Sequence, residues 1–272
     1  MKVKLLLDGD KPKVREGELR RVVEKAGLEV TTGNADIGIV VGGDGVFSMY
    51  GRVESLPLLF VGVRSKKATG SKAYLAAVYF DELPEVLRDI AAGRFRIKEH
   101  RRLRVLKNGS TLGQVFTDVY LQRGAESNCI RYMVKVNGEG LSIDESAIGD
   151  GVVVTTSAGS TGYYSYPDKI KGDVVDVSGH VGIRDGRIGI CHVVPTFTIR
   201  HGTGEHPLRY TVPWGSRIEL SITRPADARL YGACPSRGGV SVKVKDRIAV
   251  LPGEDSTKVV SVSGRGRHLN QP

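Results

Sequence analysis

Residues 37–45 read Ile37-Gly38-Ile39-Val40-Val41-Gly42-Gly43-Asp44-Gly45, an apolar run that passes directly into three glycines around one aspartate. Residues 37–41 are rich in β-branched side chains and do not alternate with polar ones, the pattern of a strand covered on both faces of a parallel sheet. Open α/β sheets bind ligands beyond the carboxyl ends of such strands. Gly42, Gly43 and Gly45 let backbone N–H groups approach phosphate oxygens closely, whereas a carboxylate among phosphates repels them unless it works as a base or through a metal. Asp44 is therefore the candidate base of a phosphate site. A plain Asp-Gly turn joining two strands is the competing reading. Against it, Val46-Phe47-Ser48-Met49-Tyr50 continues as a short helix rather than as a paired strand.

The flanking sequence repeats the strand and helix alternation that a parallel sheet requires. Residues 3–7 are an apolar strand, and Leu19, Val22, Val23 and Ala26 recur at helical spacing before Gly27. Residues 28–30 and 58–63 supply further strands, and Leu83, Val86, Leu87 and Ile90 mark an amphipathic helix closing at Gly93. At Arg94 the character changes. Residues 94–104 carry seven basic side chains against Glu99, a boundary strand expected to face anions or solvent. Beyond it, turn signals at Lys107-Asn108-Gly109-Ser110 and Val136-Asn137-Gly138-Glu139-Gly140 separate strands. Residues 188–194, 208–212, 218–222 and 240–244 are strands as well. The expectation is an α/β domain over residues 1–94, an all-β domain of sandwich type over residues 95–260, and a mobile tail over residues 261–272.

Forty Lys and Arg against thirty Asp and Glu give a formal charge of +10, which favours an anionic partner without choosing among nucleotide, polyphosphate, nucleic acid and membrane surface. Cys129, Cys191 and Cys234 are odd in number and widely spaced, so neither a disulfide framework nor a zinc site is indicated, and a reducing cytoplasm fits. No signal-like start or long apolar segment is present, so neither export nor membrane spanning is expected. His201 and His206 read as loop residues rather than a metal pair, and Trp214 as a packed turn residue. No GxxxxGK[ST] loop is found, so an ordinary P-loop is not available to this chain. No RNA-binding signature accompanies the positive charge.

A second glycine-framed aspartate stands far downstream in Gly149-Asp150-Gly151-Val152-Val153-Val154-Thr155-Thr156-Ser157-Ala158-Gly159-Ser160-Thr161-Gly162-Tyr163. Taken alone, its last seven residues could equally be a loop whose hydroxyls cap a helix. Together with Gly42-Gly43-Asp44-Gly45, however, the segment resembles the NAD kinase family, in which a GGDG turn is followed by a GDG-strand-TPTGSTAY segment. With gaps, the resemblance extends from about residue 37 to residue 233. It departs from the family at several positions. Val46 follows GGDG where Thr is usual, and Gly162 replaces the alanine before tyrosine. Arg64-Ser65-Lys66-Lys67-Ala68-Thr69-Gly70-Ser71-Lys72 replaces a glycine-and-phenylalanine loop. The family's aspartate before glycine has no counterpart at Leu230-Tyr231-Gly232-Ala233.

The resemblance implies the NAD kinase/diacylglycerol kinase-like superfold, with a Rossmann-like first domain and the active site in a cleft between the two domains. It implies phosphoryl transfer from ATP or polyphosphate, with Mg²⁺, to the 2′-hydroxyl of the adenosine ribose of NAD. Asp44 would be the base and Gly42, Gly43 and Gly45 the phosphate contacts. Thr117-Asp118 would replace the family's Asn-Glu pair against adenine and ribose. Asp150 would face the nicotinamide half, while Ser160, Thr161, Gly162 and Tyr163 would line the adenine and nicotinamide pockets. Partners are then NAD and ATP in the cytoplasm, without nucleic acid or membrane, and the protein is a homo-oligomer. Phosphorylation of another hydroxyl acceptor and catalytically idle nucleotide binding are the alternatives. In a regular strand, Phe116, Asp118 and Tyr120 would share a face, with Thr117 opposite.

Overall fold

The computed structural model describes residues 1–9, 13–63, 73–170, 182–234 and 238–262. The chain divides into two compact units, Met1–His100 with the residues from Ser256 onward, and Arg101–Asp255. The sequence had assigned residues 256–260 to the second domain, whereas these residues belong to unit 1.

Unit 1 is the expected α/β arrangement. Strands β1 (Lys2–Leu7), β2 (Glu29–Val30), β3 (Ile37–Gly42), β4 (Leu58–Gly62) and β5 (Val78–Tyr79) pair in parallel in the order β2-β1-β3-β4-β5. Every residue of β3 and β4 is buried, which is what their unbroken apolar character requires. Helix α1 (Glu16–Lys25) buries Leu19 and Val23 and gives way to Gly27 at φ +81°, a left-handed stop that a side chain would strain. Helix α3 (Leu83–Ala91) buries Leu83, Val86, Leu87 and Ile90 completely. Each such side chain contributes roughly 1.5–3 kcal/mol by leaving water. Between β3 and β4 runs helix α2 (Asp44–Val53), in place of the competing two-strand turn. Its Phe47 stacks on Phe60 of β4 with ring centroids 4.8 Å apart, and the Tyr50 hydroxyl donates to the Leu7 carbonyl at 2.7 Å.

Two long strands connect the units in sequence, β6 (Arg96–Lys107) and β16 (Ile248–Ser261). The basic stretch in β6 is not uniformly solvated, as the sequence suggested. His100 and Arg102 are buried, and burial lowers the Arg102 pKa with only partial opposition from Asp255. Alternation turns Arg101 outward, where its guanidinium lies 5.7 Å from the Trp214 ring centroid. Ser261 and Val262 do not belong to a mobile tail, because Ser261 ends β16 and Val262 is buried in the unit 1 core. Residues 263–272 lie outside the described residues, as do residues 64–72, where the sequence departs from the expected glycine-and-phenylalanine loop.

Unit 2 is β-rich. It adds β7 (Ser110–Val115), β8 (Asp118–Arg123), β9 (Ile130–Gly138), β10 (Leu141–Thr155), β11 (Arg187–Arg200), β12 (Arg209–Pro213), β13 (Arg217–Ile222), β14 (Ala228–Tyr231) and β15 (Val240–Val242), with a five-residue helix α4 (Tyr166–Ile170). The β6–β7 hairpin turns on Asn108 and Gly109 at φ 53° and 86°, the left-handed pair that a two-residue turn demands. Strand β10 is longer than its sequence suggested. It runs for 15 residues, paired along one edge first with β9 and then with β8, and along the other with β11. The main apolar core of the unit draws on all these strands, and a smaller cluster of Tyr164, Ile183 and Cys191 lies apart from it.

A charged network is buried beside that core. Glu145 of β10 and His192 of β11 have no exposed surface. The Glu145 carboxylate accepts from Arg200 Nε at 2.9 Å and from the Tyr210 hydroxyl at 2.6 Å, and His192 Nε2 lies 3.3 Å away. Burial alone would raise the Glu145 pKa, but these donors outweigh it and hold the group below its ordinary value.

Candidate active site

In unit 1 the glycine-rich motif around Asp44 occupies the join of β3 and α2. Gly42 ends the strand, Gly43 caps the helix in an extended conformation, and Asp44 and Gly45 open its first turn. Amide groups in a helix's first turn lack intrahelical acceptors and face outward, where the helix dipole favours anions. Gly42 has no room for a side chain, since a methyl there would lie 2.8 Å from Val46 Cβ. Gly45 is exposed, with open space where a side chain would be. The Asp44 carboxylate is part-buried and does not hang loose: its Oδ1 accepts the backbone N–H of Leu75 at 2.8 Å. A carboxylate has further lone pairs, so acceptor capacity remains. Sequence reasoning missed Leu75, because a backbone donor carries no residue-type signal.

In unit 2 the second motif folds back over one face of β8 and β10. Residues 116–117 form a bend rather than strand, which corrects the expected alternation. Phe116 is fully buried, while Asp118 and Tyr120 share the part-exposed face. The bend is sealed by the end of β10. Thr155 Oγ1 and the Thr156 N–H donate to the Thr117 carbonyl at 3.1 and 2.8 Å, and Thr156 Oγ1 donates to the Phe116 carbonyl at 2.6 Å. The Thr117 hydroxyl is not turned away from Asp118. It donates to Asp118 Oδ1 at 3.2 Å.

The turn carrying Ser160, Thr161, Gly162 and Tyr163 closes over this carboxylate. A methyl at Gly162 would lie 3.1 Å from Asp118 Oδ2, so the turn backbone passes directly over the acid. Ser160 is buried, whereas Tyr163 is 47% exposed. The Tyr163 ring meets Tyr120 edge-on at 5.6 Å, and Tyr120 stacks on Tyr231 at 5.8 Å. Tyr231 thus occupies, with an aromatic ring, the place before glycine where the sequence lacks an acid. Gly232 follows at φ 88°, where a methyl would lie 2.3 Å from the Asp118 carbonyl oxygen. Burial pushes the Asp118 pKa up to about 6, partly opposed by the Thr117 hydroxyl. The result is one carboxylate on the same face as Tyr120, whose ring meets those of Tyr163 and Tyr231, chemistry suited to a sugar hydroxyl and a planar ring.

Asp150 is not part of this cluster. The register of β10 with β8 puts Val153 opposite Tyr120 and Thr155 opposite Asp118, so alternation sends Asp150 to the other face with Val152 and Val154. There its Oδ1 accepts from Arg123 Nε at 2.7 Å. Gly151 explains the glycine frame of the motif, since a methyl there would lie 2.1 Å from the Leu121 carbonyl oxygen of β8.

No group of three or more His, Cys, Asp or Glu among the described residues could cage a metal ion. His201 pairs with Ser146 and His206 with the Thr198 carbonyl. The single carboxylate of Asp44 at a glycine-rich turn nevertheless fits Mg²⁺, which keeps most of its waters and is held by one or two carboxylates and a substrate's own phosphates. No described helix is long and apolar enough to cross a membrane.

Comparison with known proteins agrees with this geometry. No family model matches the chain. It is 38% identical over 190 residues to an NAD kinase of Aeropyrum pernix, covering 68% of this chain and 58% of that protein. The chain spans about half the length of several other curated NAD kinases that it matches. In fold it resembles yeast NADH kinase complexed with NADH, with a TM-score of 0.71 and 15% identity, covering 97% of this chain and 84% of that one. It also resembles an NAD kinase from Archaeoglobus fulgidus in complex with ATP, with a TM-score of 0.64 and 18% identity, covering 99% and 95%. The ordered pair of glycine-framed aspartates, the α/β and β-rich units that carry them and this sequence kinship lead to one conclusion: the chain is a divergent member of the NAD kinase family.

Proposed function

We propose that the protein transfers a phosphoryl group from ATP to the 2′-hydroxyl of the adenosine ribose of NAD, giving NADP. The observation that carries this reading is Asp44, a carboxylate seated in a glycine-rich first helical turn and oriented by the Leu75 N–H. Phosphoryl transfer needs in-line positioning and charge stabilisation more than covalent help. Gly42, Gly43 and Gly45 leave the turn open for phosphate oxygens, and Asp44 accepts the proton of the attacking hydroxyl. Mg²⁺ carried by the nucleotide supplies counter-charge for the phosphates. Asp118 accepts a hydrogen bond from the ribose hydroxyl beside the attacking one, whose own proton goes to Asp44. Thr117 holds that carboxylate rather than reading a base edge, while Ser160, Thr161, Gly162 and Tyr163 bound the acceptor pocket. Asp150, paired with Arg123 on the opposite face of β10, is not assigned to this pocket. The net positive charge serves nucleotide phosphates, not nucleic acid, and the protein acts in the cytoplasm as a homo-oligomer.

The test is a panel in which the purified chain, Mg²⁺ and either ATP or polyphosphate are offered NAD, NADH, a nucleoside and a sugar. Mass spectrometry then identifies the product. NADP from NAD and ATP is the expected product. Phosphorylation of another acceptor with NAD untouched would overturn the assignment.

A further inference from the structure

Most of the bonds inside the turn over Asp118 are local. Gly159 N–H donates to the Thr156 carbonyl, Ser160 N–H to Ser157, Gly162 N–H to Gly159 and Ser165 N–H to Gly162. The Ser165 hydroxyl donates to the Thr161 and Gly162 carbonyls. Such bonds set the shape of the turn but not its placement over β8 and β10. Placement comes from the Ser157 hydroxyl, which donates to Asp185 Oδ1 at 3.2 Å, from the Tyr166 hydroxyl of α4, which donates to the His192 carbonyl at 2.9 Å, and from the two ends of the turn. At the first end, Thr155 and Thr156 tie it to the carbonyls of Phe116 and Thr117. At the second end stands Arg209 of β12, a residue that the functional reading does not use.

The Arg209 guanidinium is a three-way clamp. Nη1 and Nη2 donate to the two carboxylate oxygens of Asp168 in α4, both at 2.7 Å, and Nη1 also donates to the Tyr164 carbonyl at 3.0 Å. The same guanidinium lies 4.9 Å from the centroid of the Tyr164 ring. The side chains of Arg209 and Asp168 are only 21% and 18% exposed, so solvent screens the pair little, and its fork geometry is one that lysine cannot reproduce. Tyr163, whose ring reaches Tyr120, and Gly162, whose backbone covers Asp118, lie between the two anchored ends.

We propose that Arg209 is a positioning residue for the acceptor site, fixing through Asp168 and Tyr164 the turn that presents Gly162 and Tyr163 to Asp118. This rests on the reading of Asp118 and Tyr163 as acceptor-binding residues. It is distinct from a simple attraction of anions by a positive charge, because Arg209→Lys keeps the charge and loses the fork.

The test uses the full chain with Arg209→Lys, Asp168→Asn and Tyr163→Leu, with NAD and ATP as substrates and amide hydrogen exchange as a second readout. In both clamp variants KM for NAD should rise about tenfold, with kcat within about threefold and KM for ATP unchanged. In a Tyr163→Leu background, Arg209→Lys should change KM for NAD less than about twofold, since residues acting through one another are not additive. Exchange at residues 159–164 should accelerate about tenfold, while β11 and β12 keep their protection. Wild-type KM in Arg209→Lys, effects that multiply in the double variant, or unchanged exchange at the turn would each overturn the inference. If the wild-type chain leaves NAD unphosphorylated, the functional proposal fails, and the exchange measurement still decides the role of Arg209.

Discussion

The backbone N–H of Leu75 donates to Asp44 Oδ1 at 2.8 Å, across 31 residues of sequence. The bond places the proposed base by means of a segment that itself leans on Gly62 at the end of β4. A methyl at Gly62 would lie 2.9 Å from Ala73 Cβ and 3.0 Å from Ala76 Cβ. Gly62→Ala should therefore displace this segment, costing about 1–3 kcal/mol by overpacking. It should lower kcat more than it lowers ATP affinity. Urea unfolding and steady-state kinetics on the same preparation check both effects.

Asp118 gives a pH signature whose sign is fixed by its environment. In the unfolded chain its pKa is near 3.8, and in the folded chain burial raises it to about 6. Between those values the folded state binds the extra proton, so this group makes the protein less stable as pH rises from about 4 to about 6. Above that window the penalty is constant. Asp118→Asn removes it and should raise stability at pH 7.5 by about 3 kcal/mol. The gain should vanish near pH 4, while use of the acceptor is lost. Thermal melts across that range measure the first effect and KM for NAD the second.

Thr117→Val leaves the shape of the bend but removes the hydroxyl that donates to Asp118. With that hydrogen bond gone, the Asp118 pKa should rise further. The acidic limb of kcat/KM for NAD should then move to higher pH, which a pH–rate profile of the variant against wild type would show.

Glu145 has no exposed surface and receives Arg200, Tyr210 and His192. Glu145→Ala leaves the Arg200 guanidinium, itself only 20% exposed, without its main anion. The cost should be about 3–5 kcal/mol, the range for breaking a buried ion pair. Chemical denaturation gives the value directly.

How much of this was legible in the sequence depended on distance along the chain. Strand β3, helix α2 and the glycine-framed Asp44 are contiguous, and their burial follows from an unbroken apolar run. The Asn108-Gly109 hairpin was likewise a local signal. The bend at residues 116–117 was hidden because its cause is remote: Thr155 and Thr156 take up its carbonyls from about 40 residues away. The opposite facing of Asp118 and Asp150 follows from the register between β8 and β10, which no single segment encodes. Arg209 and Leu75 were missed for a related reason, since one works through an ion pair 41 residues away and the other through its backbone.

Asp44→Asn tests the central claim most directly. The amide keeps the size of the side chain and can still accept the Leu75 N–H, but it cannot take the proton of the acceptor hydroxyl. The measurement is turnover of NAD with ATP and Mg²⁺, alongside ATP and NAD affinities and a melting curve. General-base removal predicts a loss in kcat of about 10²- to 10⁴-fold with affinities within a few fold. A folded Asp44→Asn variant that turns over at the wild-type rate would contradict the assignment of Asp44 as the base.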